Sequence, residues 1–205
     1  MRHTSGLQKM TEARMHVRIP QERLGVLIGP NGSTKTRIEE TTNIDMKIDS
    51  REGDVEITLR HDADDPTQIF HARDVVTAIG RGFAPECALR LLDETVTLEV
   101  IDLRELLERS QAALQRIKSR IIGKNGKTRR LIEELTGADV CVYGHTVSII
   151  GGSGQFEAAR EAIEMLIEGR YHKTVYGFLH RKRRELKKEE LRIWNPPSAE
   201  KTGEE

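Results

Sequence analysis

Residues 28–45 and 122–139 are the same stretch written twice. Aligned at an offset of 94 without a gap, ten of the eighteen positions are identical, among them Ile28/Ile122, Gly29/Gly123, Asn31/Asn125, Gly32/Gly126, Thr34/Thr128, Ile38/Ile132 and Glu39/Glu133. The agreement resumes further on. Val55 and Ile57 match Val147 and Ile149 after a two-residue change of offset, and Ala72-Arg73-Asp74 matches Ala159-Arg160-Glu161. A chain of 205 residues that carries one unit twice divides into two small domains of roughly 70 to 80 residues, too long for solenoid repeats. Apolar residues make up 37% and aromatics 4%, which suits two small cores of Ile, Leu and Val.

Periodicity gives the element order of one unit. Met15, Val17 and Ile19 alternate as a half-buried strand does, and Pro20 ends it. A short helix runs to Ile28, and a Gly-Pro-Asn-Gly turn leads to a second helix that Ser33 is placed to cap. Asn43 closes that helix. Ile44, Met46 and Ile48 alternate, Arg51 to Asp54 turn, Val55, Ile57 and Leu59 form the next strand, and Pro66 opens a third helix through Ile79. The second unit repeats the order from Val96, with a 13-residue insertion of helical spacing around Leu103 to Leu114. The expected organisation is a flexible segment 1–11, a first domain 12–83, a helical linker 84–93, a second domain 94–170 with the helical insertion, an appended basic helix 171–194 and a disordered tail 195–205. The fold class is α+β, each domain a three-stranded antiparallel-type sheet packed on three helices in the order βααββα.

Thirty-three basic residues balance 33 acidic ones, so net charge alone names no partner. Its distribution is more informative. Ala112 to Thr136 hold seven Lys/Arg against two Glu, whereas Asp45 to Asp65 hold eight Asp/Glu against three Lys/Arg. Cys87 and Cys141 stand apart and lack metal-ligand spacing, which fits a reducing cytoplasm. No apolar leader and no stretch of eighteen apolar residues is present, so a membrane-spanning protein is not expected.

The turn Gly123-Lys124-Asn125-Gly126 invites a nucleotide-binding reading, because Gly126-Lys127-Thr128 fits the end of the phosphate-loop pattern G-x-x-x-x-G-K-[ST]. The first glycine of that pattern would have to be residue 121, which is Ile, and no βαβ unit surrounds it. A G-x-x-G pair is weak by itself, and the chain has a third one at Gly151 to Gly154 where a structural turn suffices. The two duplicated pairs differ from it: each follows an apolar pair, joins two helices and recurs.

Two copies of [IL]-I-G-x-N-G-x-T-x-x-x-I-E-E in this element order resemble tandem KH domains. The resemblance implies a groove between the helices joined by the G-x-x-G loop and the following strand, taking about four unpaired nucleotides with their backbone against the loop. Glycines admit phosphates closely, and the free N–H groups of the helix that follows attract anions. The insertion, the Ile101-to-Leu107 entry and the basic helix narrow the likeness to one archaeal family. It is the counterpart of the KH-domain rRNA processing protein that partners the endonuclease maturing small-subunit rRNA. That resemblance implies a non-catalytic protein binding the 3′ region of small-subunit rRNA as single-stranded RNA, with the maturing endonuclease and the alpha subunit of translation initiation factor two as further partners. No cofactor and no metal is implied. Alternatives are a KH adaptor for messenger RNA or an RNA-degrading complex and, in another class, a nucleotide-hydrolysing or nuclease enzyme.

The expected RNA-binding residues are Gly123, Lys124, Asn125, Gly126, Lys127, Arg129 and Arg130, joined from the preceding helix by Arg116, Lys118, Arg120 and Ile122. A secondary set is Gly29, Asn31, Gly32 and Lys35 of the first copy with Lys182, Arg183 and Arg184 of the basic helix. For each charge run the competing reading is a solvated helix face with i,i+4 pairs. Lys35 and Arg129 stand where most KH domains carry an apolar residue, and Pro30 removes an N–H from the first loop. Cys141 reads as a buried, apolar-like residue, and His172 and His180 lack partners at ligand spacing. Adjacent glutamates at 39–40 and 133–134 point away from each other, so they are no catalytic pair.

Overall fold

A computed structural model describes residues 13–61, 63, 65–106 and 110–194. The expectations for residues 1–11 and 195–205 lie outside the described residues, as do positions 107–109 of the insertion. Two compact units divide between Glu94 and Thr95.

The first unit runs β1 (Arg14–Arg18), α1 (Gln21–Ile28), α2 (Ser33–Thr42), β2 (Ile44–Asp49), β3 (Asp54–Leu59) and α3 (Gln68–Gly80). A short helix α4 (Pro85–Ala88) and a 3-10 turn (Leu89–Leu92) complete it. The second unit runs β4 (Val96–Asp102), α5 (Leu103–Leu106), α6 (Gln111–Ile122), α7 (Lys127–Thr136), β5 (Asp139–Tyr143), β6 (Thr146–Gly152), α8 (Ser153–Ile167) and α9 (His172–Trp194). Both sheets are antiparallel with the third strand in the middle, β1-β3-β2 and β4-β6-β5. Register sets the buried face: Met15 lies opposite Ile57 and Val17 opposite Val55, while Met46 and Ile48 meet the same two residues from the other side. Ile38 and Ile132, at matching positions of the repeat, are fully buried.

The insertion of helical spacing contains a single turn, α5, ahead of a lengthened first helix capped by Ser110, whose Oγ accepts from the Ala113 N–H at 3.4 Å. The structure alters three local expectations. Ser33 does not cap α2: the cap position is Gly32, in the left-handed region at φ 80°, and no side chain bonds there. The third helix starts at Gln68 rather than Pro66. Cys141 is only half-buried, because it lies on the face of β5 opposite to that of Val140 and Val142.

The largest departure is α9. An appended basic helix would leave its side chains in water, but Val175, Phe178 and Leu179 are buried in the second unit's core with Ile132, Leu135, Ala162 and Ile163. Gly154 lets α9 approach α8, since a Cβ there would stand 2.8 Å from Leu186 Cδ2. The second unit is a KH-like sheet-and-helix body with a fourth packed helix.

Candidate nucleic-acid interface

The two duplicated loops share one backbone. Gly29 and Gly123 have φ/ψ of 73°/175° and 71°/174°, Asn31 and Asn125 52°/28° and 53°/31°, Gly32 and Gly126 80°/7° and 75°/13°. Three positive-φ residues within four positions fold the chain tightly over the start of the next helix, and the last glycine N–H bonds the first glycine's carbonyl at 3.2 Å in both copies. A Cβ at Gly29 or Gly123 would lie 2.3 or 2.2 Å from the hydroxyl of Thr34 or Thr128 and 2.8 Å from that threonine's backbone nitrogen. That close return explains why the glycine is kept in the repeat.

Identity at Glu39 and Glu133 has an equally local cause. Each carboxylate reaches across from the second helix to the outer edge of the following strand, accepting from the Met46 N–H at 2.8 Å or the Val140 N–H at 3.1 Å. Lys35 pairs with Glu39 at 3.6 Å and Arg129 with Glu133 at 2.7 Å, and Arg129 also donates to the Val140 carbonyl at 3.2 Å. An Arg–Glu pair therefore covers both backbone groups of Val140 on the open edge of the sheet. Burial raises the Glu133 carboxyl above its ordinary value, against the pull of the Val140 N–H and Arg129.

The cations named from the sequence separate into three sets. Lys124 and Lys127 are exposed at the loop, and Arg116 is exposed one helical stretch earlier. Among the described residues the side chains of these three make no ion pair or hydrogen bond. Arg130 braces the loop instead, donating to the Asn125 carbonyl at 2.6 Å and the Gly126 carbonyl at 3.4 Å. Lys118 and Arg120 leave the loop: Lys118 donates to the Gly144 carbonyl at 2.7 Å in the β5–β6 turn, and Arg120 bonds the carbonyls of Leu166 and Arg170. Ile122 is half-buried beside Lys118, on the strand side of α6. On α9, Lys182 pairs with Glu185 at 3.6 Å and lies over the Phe178 ring, Arg183 is half-buried and Arg184 is exposed.

In the first unit the loop holds no cation, and part of the acidic stretch is matched locally. Asp45 pairs with Arg60 at 2.8 Å, Asp54 with His16 at 2.9 Å and Glu56 with Arg14 at 3.4 Å. Sequence reasoning did not find Tyr176 or His172 as neighbours of the loop. The Tyr176 hydroxyl lies 3.0 Å from Thr128 Oγ1, and His172 Nε2 donates to the Arg120 carbonyl at 3.1 Å. Both belong to α9, which has no counterpart in the repeat. Among the described residues no group of His, Cys, Asp and Glu converges as a metal site, and no helix is long and apolar enough to cross a membrane.

The family model for the KH domain matches residues 14–78, and a model described as a eukaryotic-type, type I KH domain matches residues 97–184. A KH domain-containing protein of Methanocaldococcus jannaschii, MJ0443, is 44% identical over 182 residues, covering 89% of this chain and 79% of that protein. The crystal structure of Dim2p from Pyrococcus horikoshii is 48% identical with a TM-score of 0.77, covering 82% of this chain and 99% of that one. The same organism's complex of a/eIF2alpha, aDim2p and rRNA contains a chain 46% identical, TM-score 0.80, with 86% and 97% covered. A protein of unknown function from Aeropyrum pernix, APE0754, is 42% identical with a TM-score of 0.82, covering 89% and 97%. With both units matched as KH domains, and with relatives this similar over most of their length, the chain belongs to the archaeal Dim2p-like family of tandem KH-domain proteins.

Proposed function

We propose that the chain is a non-catalytic binder of single-stranded RNA that acts on the 3′ region of small-subunit rRNA during assembly or 3′-end processing. One observation carries this reading: the second unit holds the loop backbone of the first but sets Lys124 and Lys127 where the first has Pro30 and Ser33, and both lysines are without a partner among the described residues. Phosphates approach over Gly123 and Gly126, where no Cβ intervenes, and meet the unsatisfied N–H groups at the start of α7. Bases then lie between Ile122 and β5, with the Arg129–Glu133 pair at the strand edge offering a guanidinium to a base. The first unit adds a weaker contact through Gly29, Asn31, Gly32 and Lys35, and Arg183 and Arg184 extend the basic surface. The P. horikoshii complex with rRNA and a/eIF2alpha supports ribosomal RNA as the target and that initiation factor as a partner.

Replacing Lys124 and Asn125 by Asp in the full chain tests the reading. Both are exposed, so folding is preserved. Two carboxylates facing phosphates cost several kcal/mol of like-charge juxtaposition, so affinity for an unpaired 3′-end rRNA oligomer falls by about a hundredfold or more. Equal affinity of variant and parent at physiological salt removes this loop from RNA binding.

A further inference from the structure

The duplication built the same hollow twice and gave the two copies different charge. In the first unit a hollow beside the loop is bounded by Gly25, Val26, Gly29, Pro30, Ser33 and Thr34, with one cation, Arg37, and one carboxylate, Glu86 of α4, on its walls. In the second unit the hollow is bounded by the residues 94 positions on, Ser119, Arg120, Gly123, Lys124, Lys127 and Thr128, with His172 and Tyr176 of α9 on the far wall. The glycine and threonine that shape it are unchanged. Around them Val26 has become Arg120, Pro30 has become Lys124, Ser33 has become Lys127 and, one turn back at the rim, Glu22 has become Arg116.

This hollow is not the KH groove. On α6 the residues Leu114, Ile117 and Ile121 face the core, and Lys118 and Ile122 face the strand side. Arg116, Ser119, Arg120 and Gly123 follow one another at three- and four-residue spacing on the third side, toward α9. No carboxylate lines the hollow. Like charges gathered without acids repel one another, and the loop does not need Arg116, Lys124 or Lys127 to form, because the first unit builds the same turn with Glu22, Pro30 and Ser33 at those positions. Arg120 and His172 already bond backbone carbonyls, so they fix the walls, while Arg116, Lys124 and Lys127 keep their donors unspent among the described residues. The Tyr176 hydroxyl, tied to Thr128, adds a polar tip at the floor.

We propose that this hollow seats the phosphodiester backbone of the same RNA strand just outside the four nucleotides in the groove, so that the strand crosses the loop and continues against α9. The proposal rests on the RNA-binding reading above. Lys124 and Lys127 stand on the loop between groove and hollow, and Arg116 then meets a phosphate that the groove does not reach. The hollow makes α9 part of the RNA surface as well as of the core.

The full chain is titrated with a four-nucleotide unpaired oligomer that fills the groove, and with the same oligomer lengthened by four nucleotides at one end or the other. The expected result is a gain of about tenfold on lengthening at one end, with the salt slope steeper by about 0.7 for each added phosphate contact. Arg116→Glu, at an exposed position without a partner, brings the ratio of long to short affinity down toward one. If lengthening adds nothing at either end, or if the variant keeps the full ratio, the hollow holds no RNA and the proposal is overturned while the groove reading stands. Persistence of the ratio would place the extra nucleotides elsewhere on the chain. If neither oligomer binds the unaltered protein, the RNA-binding reading itself fails and the hollow falls with it.

Discussion

Alanine placed at the two glycines of one loop should have very different effects, although both have positive φ. Gly126 sits at φ 75°, ψ 13°, the left-handed helical region, and the nearest atom to an added Cβ is Arg130 Nε at 3.8 Å. Only the conformational cost remains there, about 1–2 kcal/mol. Gly123 sits at φ 71°, ψ 174°, a region almost confined to glycine, which costs about 1–3 kcal/mol by torsion alone. Its Cβ would also press on Thr128, 2.2 Å from Oγ1 and 2.8 Å from the backbone nitrogen. The hydroxyl can rotate away, but the nitrogen opens α7 and cannot move without unwinding its first turn. Gly123→Ala therefore costs about 4 kcal/mol or more, in the range that a single substitution reaches only through a definite steric cause. The first unit repeats the experiment: Gly29 meets Thr34 at 2.3 and 2.8 Å, whereas nothing lies within 4 Å of a Cβ on Gly32. Urea or guanidinium unfolding of the four single variants in the full chain, followed by circular dichroism with the slope fitted, gives the losses. If Gly123→Ala and Gly126→Ala differ by less than about 0.5 kcal/mol, the close return of the loop is not what keeps the first glycine.

Two further perturbations test the rest of the second unit. Burial raises the Glu133 carboxyl, so its protonated form suits the fold. The stability it contributes is full below its ordinary value near 4.5 and is lost as pH rises through the folded value. Glu133→Gln keeps an acceptor for the Val140 N–H and should match the parent at pH 4 and equal or exceed it at pH 7; a deficit at pH 7 that vanishes in acid would show a carboxylate held ionised by Arg129 instead. Phe178→Ala, at a ring 6% exposed in the core, should cost about 3–5 kcal/mol in thermal or chemical unfolding. A loss below about 1 kcal/mol would return α9 to the status of an appended helix.

Much of the fold was legible because the duplication preserved what the backbone requires. Gly29/Gly123 with Thr34/Thr128 mark a close return, Glu39/Glu133 a strand-edge hydrogen bond, and Thr42/Thr136 a buried hydroxyl donating to the Ile38 or Ile132 carbonyl at 2.7 or 2.8 Å. The identity of Glu40 with Glu134, both exposed, has no structural account. What periodicity did not reveal was that α9, expected as an appended basic helix, packs into the core of the second unit. Its apolar residues Val175, Phe178 and Leu179 are few among many charges, and nothing in the first unit corresponds to them. Tyr176 and His172 were hidden for the same reason, since their neighbours on α6 and α7 lie roughly fifty residues away in the chain. Side-chain direction was also beyond a reading by charge. Arg116, Lys118 and Arg120 look alike in sequence, yet one is unengaged, one closes on the β5–β6 turn and one ties α6 to the end of α8.

A duplicated chain contains its own control, and the control separates folding from function here. Positions identical in both units answer to geometry wherever a cause is visible: a clash, a core or a backbone partner that the other unit repeats. Positions that differ while the backbone does not are free of that demand. Pro30 and Lys124 occupy the same turn, between neighbours of nearly the same torsions, and Ser33 and Lys127 share one conformation at the start of the next helix. The lysines are therefore unnecessary for making the loop, and their desolvation on binding must be repaid by whatever they meet. Sheet and loop geometry alone would give two equivalent grooves. The charge written onto one of them, and the helix added beside it, set the exposed lysines of the second unit's loop apart from the uncharged loop of the first.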